Sequence, residues 1–193
     1  MRVLRSSAVL IWTVFAVLGA GALHAAIAAQ MNLEEMVARA DRVFTGKVLG
    51  VSESRIAAGG GELPAVTYRL QVIEAFKGAF DVSKGEKFAD VTMVGTLKQV
   101  ASGEHPITDF PVLVEGGEYL LLVAPAGPTG LTTTMGLGQG AFAVTNAGNV
   151  KQALNGASNV GLFDRMDTQM QGGVPADYDE LAREIRGLVG GTQ

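Results

Sequence analysis

Between Arg42 and Leu154 the chain passes through six or seven strand-like segments in succession, with no helical period between them. Neighbouring strands joined by short connections pair antiparallel, because a parallel pair needs a long crossover. The pattern therefore favours an antiparallel sheet closed into a small barrel or folded into a sandwich. Arg42 to Ser52 is the first segment, and Gly46 and Gly50 inside it suggest bends or the close approach of another backbone. A flexible loop is expected around Gly59-Gly60-Gly61 and Pro64. The second segment has the cleanest alternation: Val66, Tyr68, Leu70 and Val72 on one face, Thr67, Arg69 and Gln71 on the other. Phe76 continues it, and Lys77-Gly78 ends it. Lys87 to Val94 is a third strand.

The stretch from Gly95 to Gly117 reads mostly as loop, punctuated by Pro106 and Pro111. Glu118 to Ala124 is apolar on both faces, the mark of a central strand covered on each side. Leu131 to Met135 and Gly140 to Thr145 are further short strands. Asn146-Ala147-Gly148-Asn149 has hairpin-turn chemistry and returns as Val150 to Leu154.

Helices flank this β-rich middle. Met31 to Ala40 is expected to be helical, with Asn32 as its cap and Glu35 at the capping-box position. Its apolar face is Leu33, Met36, Val37 and Ala40. Asp177 caps a final helix with Glu180 three residues on, and Leu181, Ile185 and Leu188 line its inner face.

The N-terminus has the three-part layout of a secretory signal peptide. Arg2 and Arg5 are its positive region, and Ala8 to Leu23 its apolar stretch. The small residues Ala25 to Ala29 then offer cleavage after Ala28 or Ala29. The apolar stretch is about 16 residues long, short of the roughly 20 that cross a bilayer. The expected organisation is thus a signal peptide over residues 1–29 and one β-barrel domain over 30–193. The barrel's core spans about 31–155, with a C-terminal helical extension over about 175–190. Export places the mature chain in a periplasm or outside the cell, with no membrane attachment after cleavage.

Composition narrows the chemistry. Two of the 15 basic residues are Arg2 and Arg5, so the exported chain carries 13 against 19 acidic residues, a net charge of −6. That balance argues against nucleic acid and anionic membranes, which need clustered Lys and Arg. There is no cysteine and, after export, one histidine, His105. A His/Cys metal site, a cysteine nucleophile and a lipid-anchored cysteine are therefore excluded. His105 sits near Ser102 and Asp109, but a triad is assembled in space, so this proximity carries little weight. Gly136-Leu-Gly138-Gln-Gly140 leads into strand, so it reads as a glycine bulge or tight bend and lacks the helix a phosphate loop needs. Among the carboxylates, Glu34, Glu35, Asp177, Asp179 and Glu180 read as helix-start charges. Asp164, Asp167, Glu115 and Glu118 read as a solvated face.

With these elements in order, the run Ala40-Asp41-Arg42-Val43-Phe44-Thr45-Gly46-Lys47-Val48 resembles the opening of netrin-like domains, the group that includes the tissue inhibitors of metalloproteinases. Tyr68 to Gly78 is similar to that family's long strand ending in an aromatic, lysine and glycine, and Glu115 to Val123 to its glycine-then-leucine-rich strand. The resemblance covers roughly Met31 to Thr145. It implies an oligonucleotide/oligosaccharide-binding-type (OB-type) barrel, mainly β and antiparallel, with a short N-terminal helix and a C-terminal helix. The inhibitors' N-terminal cysteine, which binds a protease zinc, has no counterpart here.

No catalytic set, cofactor site or metal site emerges from the residues. The expected function is a non-enzymatic module recognising an extracytoplasmic protein or peptide through the loops Ala57–Pro64 and Ala101–Pro111. An envelope assembly protein is the alternative, pairing edge to edge through the strands of residues 131–145. A hydrolase using His105 or a carboxylate pair is ranked below it.

Overall fold

The computed structural model describes residues 29–103 and 110–191. Ala28 and the rest of the expected signal peptide before Ala29 lie outside the described residues, as do His105 and Asp109.

The first helix, α1 (Leu33–Arg39), forms where its cap was read. Asn32 Oδ1 accepts the Glu35 N–H at 2.9 Å, and the Glu35 carboxylate accepts the Asn32 N–H at 3.3 Å. Its last turn is held from outside: Lys77 Nζ donates to the carbonyls of Val37 and Ala38 at 2.8 and 3.0 Å. Such a contact satisfies helix-end acceptors that have no partner within the helix.

Two 17-residue strands follow, β1 (Arg42–Ala58) and β2 (Gly61–Lys77). Their ladder runs out to Ala58↔Gly61, so the loop expected over Ala57–Pro64 is a hairpin tip instead. Only Gly59 and Gly60 turn, with φ of +59° and +80°. Two residues with positive φ suit the right-handed twist of paired strands, and glycine takes that conformation without strain. The register shifts at Thr45/Gly46 and Val48/Gly50, at the two glycines read as bends. A Cβ on Gly46 would lie 2.9 Å from the Gln71 carbonyl oxygen.

The remaining strands are β3 (Asp81–Ser83), β4 (Glu86–Val94), β5 (Glu118–Val123), β6 (Ala141–Ala147), β7 (Val150–Asn155) and β8 (Ala176–Asp177). A short helix, α2 (Leu97–Ser102), stands inside the stretch expected to be loop, and α3 (Tyr178–Gly190) closes the chain. Every pairing is antiparallel, in the order β3-β4-β2-β1-β5-β6-β7-β8. The fold is mainly β with a short N-terminal and a C-terminal helix, as expected. Barrel closure is not: β3 and β8 are the two edges of an open sheet. The segment Leu131–Met135, expected to be a strand, makes one bridge to β5 (Thr134↔Val123) and, among the described residues, reaches β4 only through Thr132. The Thr132 N–H donates to the Thr92 carbonyl at 2.9 Å, but the Thr92 N–H donates to Thr132 Oγ1. A side chain stands where a ladder needs a carbonyl, so pairing stops there.

The two-sided apolar character of β5 has its explanation in the packing. Leu120 and Leu122 point into a core shared with Met36, Val43, Phe142, Leu181 and Ile185, which fixes α1 and α3 on one face of the sheet. Leu121 and Val123 point into a second core with Phe44, Tyr68, Leu70, Val91 and Leu113. All four β5 residues are fully buried, each leucine contributing roughly 1.5–3 kcal/mol. Among the described residues no helix is long and apolar enough to cross a membrane.

Candidate interaction surface

The carboxylates that a hydrolase would need as a pair are dispersed. Glu34 and Glu35 open α1, and Asp179 and Glu180 open α3 behind the Asp177 cap, whose carboxylate accepts the Glu180 N–H at 3.0 Å. Glu118 pairs with Lys151, while Glu115, Asp164 and Asp167 are exposed. Among the described residues no group of three or more His, Asp or Glu could hold a metal. A cavity of about 360 Å³ between α1 and α3 is lined by Glu34, Val37, Ala38, Gly187, Leu188 and Gly191, with a single carboxylate and no converging polar groups.

A buried polar cluster lies under the start of α3. Tyr178, the first residue of that helix, is 5 % exposed, and its hydroxyl lies 2.8 Å from Thr45 Oγ1 and donates to Glu74 Oε2 at 3.0 Å. Arg186 donates to the other Glu74 oxygen from two turns further along α3. Lys151 Nζ stands 4.3 Å from the Tyr178 ring centroid and is paired with Glu118. Burial pushes the Tyr178 phenol up to about 12; the Thr45 hydrogen bond eases the shift and the Glu74 charge adds to it. Each polar group here has a partner, and the cluster fastens α3 to the sheet.

Tyr178→Phe removes one member and leaves buried Thr45 without its partner, an expected loss of about 1–3 kcal/mol in denaturant unfolding. The raised pKa gives a second readout. A phenol held neutral in the fold contributes stability that is complete below its unfolded pKa near 10 and is lost as pH rises towards 12. Part of the wild-type stability loss between about pH 10 and 12 should therefore be missing in Tyr178→Phe. Equal slopes in the two proteins over that window would refute the assignment.

The strand registers bring the β1–β2 hairpin, α2 and the Phe110–Gly117 segment to one half of the sheet, while residues 104–109 of the second predicted contact loop lie outside the described residues. β1 runs outward to its tip at Ala58. The pair Ala65↔Val94 brings β4, and α2 after it, to the same end. Lys47↔Glu118 directs the start of β5, with the Phe110–Gly117 segment that precedes it, to the same side of the sheet but eleven residues of β1 short of the tip. Glu118↔Val144 then sends β6 outward to its Gly148-Asn149 turn. We call this half of the sheet, from Lys47 of β1 outward to Ala58, the distal end.

Hydrogen bonds tie its parts together. The Leu97 N–H donates to the Glu53 carboxylate at 2.7 Å, anchoring the start of α2 to the hairpin, and the Gly95 N–H donates to the Pro64 carbonyl at 3.0 Å. The Gly116 N–H donates to the Val48 carbonyl at 2.9 Å, and the Val48 N–H to the Gly117 carbonyl at 3.0 Å. Tyr119 folds back over Gly117, and its hydroxyl accepts the Val114 N–H at 2.9 Å. α2 was missed in the sequence although Thr96 and Gln99 form a complete capping box, the signal that marked α1.

The distal end is also where apolar surface meets solvent. Leu49, Leu63, Leu97, Val114 and Val150 all fall there, half of the large hydrophobic side chains exposed among the described residues. Scattered exposed leucines need no explanation, whereas apolar residues concentrated beside polar ones mark interaction surfaces. Below this end, in the second core, the Tyr68 hydroxyl is buried without a hydrogen-bond partner among the described residues. Burial pushes its pKa up; the Leu113 backbone is near enough to ease that shift without being placed for a hydrogen bond. Comparison with protein-family models and with curated proteins finds no match to this chain.

Proposed function

We propose that the chain is an exported, non-enzymatic binding module that recognises a protein or peptide, in the cell envelope or outside the cell, through its distal end. The observation that carries this reading is the convergence there of the β1–β2 hairpin, α2 and the Phe110–Gly117 segment with five exposed apolar side chains. The signal-like N-terminus supports export. The acidic balance disfavours nucleic acid as the partner, and the resemblance to netrin-like domains fits a barrel-derived scaffold that presents loops to another protein.

Affinity capture with the chain from Gln30, from the envelope and culture fluid of its own organism, tests the reading. A single partner retained saturably and identified by mass spectrometry is the expected result. A blank with bait shown to be folded would count against it and shift weight to small-molecule or catalytic roles.

A further inference from the structure

We infer that two copies of this chain pair through the free edge of β1, antiparallel about Ser54. β5 accompanies β1 only from Arg42 to Lys47, and Val48 is bonded to Gly116 and Gly117. From Gly50 to Ala58 the side of β1 facing away from β2 has no backbone partner among the described residues. An unpaired edge of this length is a template for another strand, and proteins usually block such edges with proline, lysine or a bulge. The opposite edge of the hairpin is blocked in that way: Pro64 has no N–H to offer, and its carbonyl is taken by Gly95. On β1 the bulge lies before Gly50, and no proline or lysine follows it as far as Ala58.

Symmetry and charge select the partner and the register. In an antiparallel pair of identical strands the two-fold axis stands perpendicular to the sheet, so it passes through a residue facing its own copy. Centring on Glu53 sets carboxylate against carboxylate, and centring on Arg55 sets guanidinium against guanidinium. Centring on Ser54 sets Glu53 against Arg55 twice, and opposite charges on facing strands stabilise a pair. It also sets Gly50 against Ala58, so this register uses the whole free edge and nothing beyond it. Both charged side chains are accessible. Arg55 is 69 % exposed, with Glu62 3.8 Å away, and Glu53 uses only one carboxylate oxygen on Leu97. Beyond Ala65, where the pairing with β4 ends, the hairpin is two-stranded, a form marginal in water on its own, and joining two copies makes that part of each hairpin belong to a wider sheet. The inference goes beyond the binding-module reading and is tested with no other partner present.

The mass in solution of residues 29–193, followed with concentration into the high micromolar range, reads it directly. The wild-type protein should reach a two-chain particle. Arg55→Glu alters a side chain whose only ion pair among the described residues is with exposed Glu62, and should weaken self-association roughly tenfold. Glu53→Arg should do the same. A mixture of the two variants should recover a mixed dimer, because one chain then offers two cations and the other two carboxylates at facing positions. A wild-type chain that stays single throughout, a dimer indifferent to Arg55→Glu, or weakened variants that fail to recover on mixing would each overturn the pairing.

Discussion

Leu121→Ala and Leu122→Ala should each lower the unfolding free energy by about 2–5 kcal/mol, the range for emptying a fully buried leucine site. The two adjacent residues are both 0 % exposed yet belong to different cores, because successive strand residues point to opposite faces. Their local consequences should therefore differ. Leu122 packs with Leu181 and Ile185, so its truncation should speed amide exchange across α3. Leu121 packs with Tyr68, Val91 and Leu113, so its truncation should loosen β4 and the Phe110–Gly117 segment while sparing α3. Denaturant unfolding gives the magnitudes and hydrogen exchange gives the location. Identical exchange patterns in the two variants would show one undivided core and contradict the two-sided sheet.

Gly78→Ala should cost about 3 kcal/mol, from two sources that a second glycine separates. Gly78 has φ of +93°, and a Cβ there would meet the Asp41 carbonyl oxygen at 2.5 Å and the Arg42 Cα at 3.1 Å. The neighbouring Lys77 holds the last carbonyls of α1, so Lys77 and Gly78 together clasp the corner between α1 and β1. A side chain at Gly78 would push that corner away from β2. Gly85 has φ of +83° and open space around it, so Gly85→Ala measures the conformational cost alone, about 1 kcal/mol. If the two substitutions cost the same in thermal or denaturant unfolding, the close approach at Asp41 and Arg42 is immaterial.

Local features carry much of this fold in a readable form. α1 and α3 are marked by side chains that satisfy helix-end N–H groups, at Asn32 and Asp177, and β5 by its unbroken apolar run. Gly46, Gly50 and the Asn146–Asn149 turn also mean structurally what their types suggest. What escaped has a physical reason in each case. β3 has three exposed residues and exists only through its pairing with β4, so no periodicity announces it. α2 has no buried residue, and without an apolar stripe its capping box was the one remaining cue. The sheet stays open where Leu131–Met135 makes a single bridge to β5 and the Thr92 N–H meets the Thr132 hydroxyl, details of side-chain placement that strand patterns do not encode.

For the candidate surface, the sequence pointed to Ala57–Pro64 and to Ala101–Pro111, of which residues 104–109 lie outside the described residues, and the meeting of α2 and Phe110–Gly117 with the hairpin in one half of the sheet was not legible. It follows from long-range registers, Ala65 against Val94 and Lys47 against Glu118, set in part by bulges at Gly46 and Gly50. The polar cluster around Tyr178 is of the same kind, since it joins Thr45, Glu74 and Lys151 from three strands far apart in sequence.

The most direct test of distal-end recognition compares two baits, the chain from Gln30 and the same chain carrying Leu97→Asp and Val114→Asp. These side chains are 43 % and 62 % exposed, so the double variant should unfold within about 0.5 kcal/mol of wild type, the range for surface changes. No residue of the β1 edge is substituted in it. The expected result is a saturable partner on the wild-type bait that is lost, with no change in folding, on the variant. Equal retention of the same partner by both folded baits would contradict recognition through the distal end.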